Sequence, residues 1–116
     1  MAFSQRNERI KPAFKLWFEI GDEYVFGEGA FILLDEIRKK KSISAAARVA
    51  KMSYRHAWGL IREIERHLGG AVIETKRGGK SGGRSELTNA GHSLLADYQK
   101  LKMKMSETCN HWRSGL

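Results

Sequence analysis

The sequence contains a single cysteine, Cys109, and no run of consecutive apolar residues longer than about five. One cysteine excludes an intramolecular disulfide framework and fits a reducing compartment. The longest apolar run, Ala30 to Leu34, is too short for a membrane-spanning helix or for the core of a signal peptide. We therefore expect a cytoplasmic protein that has no membrane partner.

The residue patterns of catalytic and metal sites are also missing. The four histidines lack metal-ligand spacing, and Cys109 with His111 offers only two ligands. Residues 79–81 have the Gly-Lys-Ser ending of a nucleotide-binding P-loop, but Glu74 occupies a position where that motif needs glycine. We therefore expect no enzymatic activity, no catalytic residues and no metal site.

What the sequence has in excess is positive charge, and the excess is local. The 116 residues carry a net charge of +8. Between Arg38 and Arg84 there are 13 Lys and Arg against 3 Asp and Glu, whereas the rest of the chain has 8 against 10. The run Arg38 to Lys41 taken alone is better explained as a solvated basic surface. Together with the helical pattern that follows, the local excess predicts binding to a polyanion.

The first third of the chain changes from a strand pattern to a helix pattern. Apolar residues alternate with polar ones from Phe14 to Ile20, Gly21-Asp22 suits a turn, and residues 24–26 suit a short returning strand. From residue 30 the apolar spacing becomes that of a helix, which ends in the basic run at residues 38–41. We predict an N-terminal β-hairpin followed by a scaffold helix.

Two further helices follow, joined by a tight turn. Ser42 or Ser44 suits the cap of the first, an alanine-rich helix, and Lys51-Met52 forms the turn. Ser53 suits the cap of the second, longer helix, whose apolar positions are Ala57, Leu60, Ile61, Ile64 and Leu68. This arrangement predicts a helix-turn-helix in which the second helix reads DNA.

A basic, glycine-rich loop from Arg77 to Arg84 lies behind the helix-turn-helix. Short apolar segments at residues 72–75 and 85–87 flank it as two strands. Its four glycines permit close approach of the backbone to phosphate, and Lys80 at its tip suits a minor groove. The predicted fold class is therefore α+β, a winged helix-turn-helix.

The last segment predicts one long helix capped by Thr88. Its apolar residues have the spacing of a heptad-like seam: Leu94, Tyr98, Leu101, Met105 and Trp112. We predict that the seam is a dimer interface; the alternative is that it covers the core of its own domain. The predicted organisation is a flexible tail at 1–13, a DNA-binding domain at 14–88 and a C-terminal dimerisation helix at 89–116.

The outward face of the second helix suits a DNA groove better than solvent. Arg55 and Arg62 can bind guanine or phosphate, and Tyr54 and Ser53 suit phosphates or base edges. Trp58 suits a sugar or a thymine methyl, although partial burial in the core explains it equally well. Arg66, on the same face, is predicted to be an ordinary solvated arginine.

Two motifs in this region resemble those of a known family. The stretch Ser42 to Arg48 and the run that follows it to Glu65 resemble the winged helix of LysR-type regulators. The resemblance is closer to the N-terminal DNA-binding domain of ModE-type molybdate-responsive regulators, and it covers about residues 14 to 100. The marks of this closer match are Met52 to Trp58 and the loop Gly78 to Gly83, followed by Leu87-Thr88 and Gly91.

The resemblance implies a homodimeric transcriptional regulator of molybdate or metal transport genes, which binds double-stranded DNA. It adds Lys76 to the wing residues. The complete predicted DNA-binding set is Ser42, Ser44, Ser53, Tyr54, Arg55, Trp58, Arg62, Lys76, Arg77, Lys80 and Arg84.

Molybdate itself is implied by the resemblance alone. The family binds it through C-terminal domains that lie beyond the matched region, so we expect a stand-alone, single-domain form without a cofactor. Two alternatives remain open: an oxyanion sensor whose ligand modulates DNA binding, and a winged-helix interaction module without DNA specificity.

Overall fold

The computed structural model of the protein describes residues 10–78 and 82–113. The elements in chain order are β1 (Phe18–Ile20), β2 (Glu23–Phe26), α1 (Glu28–Lys40), α2 (Ile43–Val49), α3 (Tyr54–Leu68), β3 (Ile73–Gly78), β4 (Gly82–Leu87) and α4 (Asn89–Asn110). Strands β1 and β2 form one antiparallel hairpin, and β3 and β4 form another. The predicted α+β winged helix-turn-helix, with an N-terminal hairpin and a long last helix, is confirmed. Among the described residues, no helix has both the length and the apolar character that crossing a membrane requires.

Three hydroxyl side chains define where helices begin. Ser42, Ser53 and Thr88 each accept a hydrogen bond from the backbone N–H three residues further on, which satisfies one of the otherwise unpaired donors of the first turn. Ser42 therefore caps α2, and Ser44, the other candidate, lies within that helix. These local bonds fix the start of both helices of the helix-turn-helix.

Small side chains allow α2 and α3 to pack closely. Ala46, Ala47 and Ala57 are all buried where these helices meet. Between them, Lys51 adopts a left-handed conformation with φ of 58°, and the Met52 N–H donates to the Ala47 carbonyl at 3.0 Å. The turn is therefore short enough to hold α3 at a fixed angle to α2.

Tyr98 of α4 lies at the centre of the hydrophobic core, only 1% exposed. Its ring centroid lies 5.4, 5.3 and 5.0 Å from those of Phe18, Phe26 and Phe31. Its hydroxyl is 2.9 Å from the Leu16 carbonyl oxygen and 3.1 Å from Glu28 Oε2, and burial raises its pKa to about 12. The prediction that Tyr98 faces a second copy needs correction, because this chain itself encloses the ring.

The segment before β1 differs from the strand predicted to begin at Phe14. The ladder begins only at Phe18, and the preceding residues run along α4 instead. The Leu16 carbonyl meets Tyr98, and the Ile10 carbonyl accepts from Arg113 at 3.5 Å. The alternating burial is present, but the partner is a helix, so no strand ladder forms. Residues 1–9 of the predicted flexible tail lie outside the described residues.

The wing strands are longer than the sequence predicted. β3 reaches Gly78 and β4 begins at Gly82, so that Arg77 and Arg84 belong to the ladder and not to the loop. The ladder passes through Gly83, which pairs with Arg77, and a Cβ added at Gly83 would lie 3.3 Å from the Lys76 carbonyl oxygen. The cations of the wing are therefore held at defined register positions.

The base of the wing is tied to the body by a set of short contacts. Glu65 Oε2 of α3 accepts from the Val72 N–H at 2.9 Å, and the Thr88 N–H donates to the Val72 carbonyl at 3.0 Å. At Gly91, the first turn of α4 comes so close that an added Cβ would lie 2.3 Å from the Val72 carbonyl oxygen. The wing and α4 are therefore positioned against each other by backbone contact.

His67 joins the end of α3 to the N-terminal hairpin. Its Nδ1 lies 2.8 Å from the Glu63 carbonyl oxygen, and its Nε2 lies 2.6 Å from Glu23 Oε2. The Glu63 carbonyl, and then the Glu23 carboxylate, raise the pKa of His67 above its ordinary value of 6.5.

This pair predicts a pH-dependent stability. A pKa raised in the folded state stabilises the fold fully below the unfolded value, and the contribution is lost as pH rises through the folded pKa. We expect His67→Gln to flatten the fall in the free energy of unfolding as pH rises above about 6.5, measured by urea denaturation. His92→Gln is the control, and an unchanged pH profile for His67→Gln would contradict the assignment.

Candidate nucleic-acid interface

The outward face of α3 presents a stripe of cations around a glycine. Burial of Ala57, Ile61 and Ile64 fixes which side of the helix faces the core. Helical periodicity then places four exposed residues on the opposite side: Arg55, Gly59, Arg62 and Arg66. We call these four residues the α3 stripe.

The three arginines of the α3 stripe differ in the side chains with which they interact. Arg66 Nη2 is bound to Glu63 at 2.8 Å, and the Arg62 guanidinium lies 5.6 Å from the centroid of the Trp58 ring. Arg55 has no ion pair among the described residues. The cation nearest the N-terminus of α3 is therefore the one available to a new partner, and this is the end of a recognition helix that approaches base edges.

Two aromatic side chains flank the stripe on the side of the wing. Tyr54 is 54% exposed, and its ring meets that of Trp58 edge to face at 6.3 Å. Trp58 is half-buried and packs partly against the core. Both interpretations of Trp58 therefore hold in part, since one side of the ring covers the core and another remains at the surface.

A cavity of about 260 Å³ separates α3 from the wing. Its lining combines predicted DNA-binding residues from three elements that are distant in the sequence: Ser42, Ser44, Tyr54, Trp58 and Arg84. Ser53 and Arg55 border a second, larger depression of about 540 Å³ along α3, together with Gly59. The fold thus brings predicted residues of α2, α3 and the wing together around the first cavity, and Ser53 and Arg55 lie outside it.

The two faces of the wing carry different side chains. Side chains alternate along a strand, and the register places Glu74 opposite Glu86 and Lys76 opposite Arg84 on one face. Arg77 lies on the other face with Thr75 and Ser85. Thr75 and Ser85 line the cavity next to α3, and Arg84 borders the same cavity, whereas Arg77 does not. Arg77 has no ion pair among the described residues. Lys80, predicted at the tip of the wing, lies outside the described residues.

The outer face of the wing contains a charge cluster that the residue pattern did not predict. The Glu86 carboxylate lies 3.1 Å from Lys76 Nζ, 3.0 Å from Arg84 Nε and 3.9 Å from Lys41 Nζ. The hydrogen bond from Lys76 is the largest cause of a lowered pKa at Glu86, and the pKa of Lys76 is raised in return. Two glutamates in register next to basic residues were the sequence signal for this cluster. We call these four residues the Glu86 cluster.

The predicted seam on α4 is divided by the structure. Leu94 packs against the core and Tyr98 lies within it, whereas Leu101 and Met105 are 40% and 37% exposed. Trp112 lies in a turn beyond the end of α4 at Asn110, which corrects its placement in the helix. Met103, which the seam did not include, is 57% exposed.

Comparison with known proteins identifies the family. The model of the bacterial regulatory helix-turn-helix proteins of the lysR family matches residues 30–92, more than half of the chain. The chain belongs to this family. The matched lysR-family region runs from α1 into the first turn of α4, and it therefore includes the α3 stripe and the wing.

Two of three similar proteins have names that mention molybdenum. The chain is 43% identical to the molybdenum transport protein ModE of Herbaspirillum seropedicae over 77 residues, which are 66% of this chain and 29% of that protein. It is 34% identical to the molybdenum-pterin-binding protein MopB of Rhodobacter capsulatus over 84 residues, 72% of this chain and 31% of that protein. It is 38% identical to the DNA-binding transcriptional dual regulator ModE of Escherichia coli K12 over 69 residues, 60% of this chain and 26% of that protein.

These matches confirm the resemblance to ModE-type regulators that the motifs indicated. The chain spans about a third or less of the length of each of these relatives.

Proposed function

We propose that the chain is a sequence-specific DNA-binding transcriptional regulator and not an enzyme. The observation that carries this proposal is the α3 stripe, in which Arg55, which has no ion pair within residues 10–78 and 82–113, lies near the start of a capped helix. Membership of a regulatory helix-turn-helix family supports it. In this arrangement α3 enters the major groove, and the wing contacts the adjacent phosphates.

The residues divide into base readers and phosphate binders. In this proposal Arg55 donates two hydrogen bonds to a guanine. The Trp58 ring, 5.6 Å from the Arg62 guanidinium, restricts the orientation of Arg62. Ser53 and Tyr54 lie at the end of α3 that meets the backbone, and Arg77 extends the positive surface on the inner face of the wing.

The proposal is tested by mobility shift on DNA duplexes. A duplex selected from a random library should bind about a thousandfold or more tightly than a random duplex at physiological salt. Both affinities should fall steeply with added salt. Equal affinity for the two duplexes would favour an interaction module without DNA specificity, and tighter binding to duplex RNA would assign the surface to RNA.

We further propose that two copies pair through α4. The exposed Leu101 and Met105, four residues apart on one face of α4, lie beyond the part of the helix that contacts the core, and they support a self-complementary apolar surface. In this organisation residues 14–88 bind DNA and 89–116 join the copies. A twofold pair would place the two recognition helices about 34 Å apart. Sedimentation equilibrium tests this: Leu101→Glu should give a monomer, and Met103→Glu, on the opposite side of α4, should leave the dimer intact.

We propose, on the names of the relatives, that the regulated genes serve molybdate or metal transport. DNA binding by this chain should need no cofactor. Mobility shifts with and without millimolar molybdate should therefore give the same affinity, and calorimetric titration of the protein with molybdate should release no heat. A molybdate-dependent affinity would instead favour the oxyanion-sensor alternative.

Gly59 offers a test in which stability and affinity change in opposite directions. A Cβ added at Gly59 would meet nothing within 4 Å, so Gly59→Ala should stabilise the free protein by about 0.5–1 kcal/mol through helix propensity. In a tightly packed groove the extra methyl should lower DNA affinity about tenfold, because overpacking costs about 1–3 kcal/mol. Thermal denaturation and mobility shift measure the two effects.

Gly29→Ala in α1 is the matched control for Gly59→Ala. Gly29 is also an exposed helical glycine whose added Cβ would meet nothing. The Gly29→Ala substitution should stabilise the free protein in the same way as Gly59→Ala, and it should leave the affinity for DNA unchanged. If Gly59→Ala binds DNA as tightly as the parent protein, α3 does not lie closely against the groove at this point.

A further inference from the structure

We propose that Glu86 is an internal competitor for DNA phosphate, which occupies the cations of the outer wing face in the unbound protein. The proposal rests on the proposed DNA-binding function. Its consequence is that Glu86 lowers the affinity of the wing for any duplex, so that binding depends more strongly on the base contacts of α3.

The geometry of the Glu86 cluster carries this inference. Three cations from three parts of the fold converge on one carboxylate: Lys41 from the end of α1, Lys76 from β3 and Arg84 from β4. The Glu86 side chain is 19% exposed, whereas those of the three cations are 51%, 51% and 57% exposed. The three cations are therefore accessible from solvent, whereas the carboxylate that binds them is more deeply buried.

A carboxylate and a phosphate diester offer these cations the same kind of acceptor oxygen. Lys76 and Arg84 must therefore loosen their bonds to Glu86 in order to bind a phosphate at full strength. Glu86 also orients the two cations. This orientation contributes little to their affinity for phosphate, because ion pairs between side chains that are about half exposed are weak. The negative charge about 3 Å from Lys76 and Arg84 is the larger effect, and its removal should favour DNA.

Glu74 provides a matched control within the same ribbon. It lies directly opposite Glu86 in the register and on the same face, but its carboxylate is 51% exposed and has one cation, Lys76, at 3.7 Å. Glu86→Gln and Glu74→Gln change the net charge equally. A difference between them therefore reports the specific contacts of Glu86 and not the charge of the wing as a whole.

The experiment measures affinity for a selected and a random duplex over a series of salt concentrations. Glu86→Gln should tighten binding to both duplexes about fivefold, and the slope of log affinity against log salt should steepen by about one unit. Glu74→Gln should change affinity less than twofold. Addition of Lys76→Gln to Glu86→Gln should remove most of the gain.

Equal gains for the two glutamine variants would overturn the proposal, and so would a loss of affinity in Glu86→Gln. Failure of the unsubstituted protein to bind any duplex would instead reject the proposed function itself. If Glu86→Gln does not fold, carbon NMR of the parent protein gives the answer. The carboxyl carbon resonance of Glu86 should shift on duplex binding further than that of Glu74, and equal shifts would overturn the proposal.

Discussion

Replacement of Arg55 by alanine should weaken binding to a selected duplex about 10- to 100-fold, while binding to a random duplex weakens only about twofold. The reason is that one bidentate contact to guanine is worth about 1–3 kcal/mol of discrimination, whereas a phosphate contact carries no sequence information. Arg55 is exposed and has no ion pair among the described residues, so nothing within the chain needs to be broken to free it. Mobility shift on both duplexes measures the ratio.

Arg77→Ala is the matched control for Arg55→Ala. It removes the same charge from a wing position where Arg77 pairs in the register with Gly83. Because the proposed role of Arg77 is to bind phosphate, both duplexes should lose affinity alike, and the salt slope should decrease by about one unit. Equal losses on the two duplexes for Arg55→Ala would show that Arg55 also binds only the backbone.

Replacement of Gly91 by alanine should destabilise the protein by about 3 kcal/mol and lower its Tm by about 10 °C. The added Cβ would lie 2.3 Å from the Val72 carbonyl oxygen, which is backbone and cannot rotate away as a side chain would. That carbonyl also accepts the hydrogen bond from the Thr88 N–H at the start of α4. The clash and the loss of the bond therefore occur together.

Gly70→Ala tests whether the effect belongs to the close contact at Gly91. Gly70 lies two residues before Val72, and an added Cβ there would meet nothing within 4 Å. Urea denaturation should show a change below about 0.5 kcal/mol for Gly70→Ala. A Gly91→Ala protein of parental stability would mean that α4 and the wing base shift apart easily, and the wing would then be less rigidly placed than the backbone contacts indicate.

The sequence predicted best those features that depend on neighbouring residues. Apolar spacing located α1 and α3, and hydroxyl residues located the starts of α2, α3 and α4, because periodicity and capping act within one or two turns. The outward face of α3 followed directly from its buried face. These local rules were sufficient to place Arg55 and Tyr54 on the surface.

Features that depend on distant partners were not predicted. Alternation from Phe14 to Ile20 indicates an extended chain but does not say whether a strand or a helix lies next to it, and residues before Phe18 turned out to run along α4. In the same way, the spacing of Tyr98 is the same for a core residue and an interface residue. Its burial became evident only from the aromatic rings that surround it.

The ion pairs of the Glu86 cluster also depend on distant residues, and they were not predicted from the sequence. Lys41 and Glu86 are 45 positions apart, and from the sequence alone Lys41 was predicted only to be the last residue of a basic run. Their ion pair depends on how the wing folds back towards the end of α1, where the Ser85 N–H donates to the Lys41 carbonyl. A count of charges along the chain therefore overstates the number of cations that DNA meets without competition.

The three tryptophans lie in different parts of the fold, so their fluorescence should respond to different binding events. Trp58 borders the cavity between α3 and the wing, whereas Trp17 borders a separate cavity beside α4, and Trp112 lies just past the end of that helix. Quenching of indole emission by a bound duplex should therefore come from Trp58, and a spectral shift on self-association from the other two. Trp58→Phe would leave a protein whose fluorescence reports assembly while remaining silent to DNA.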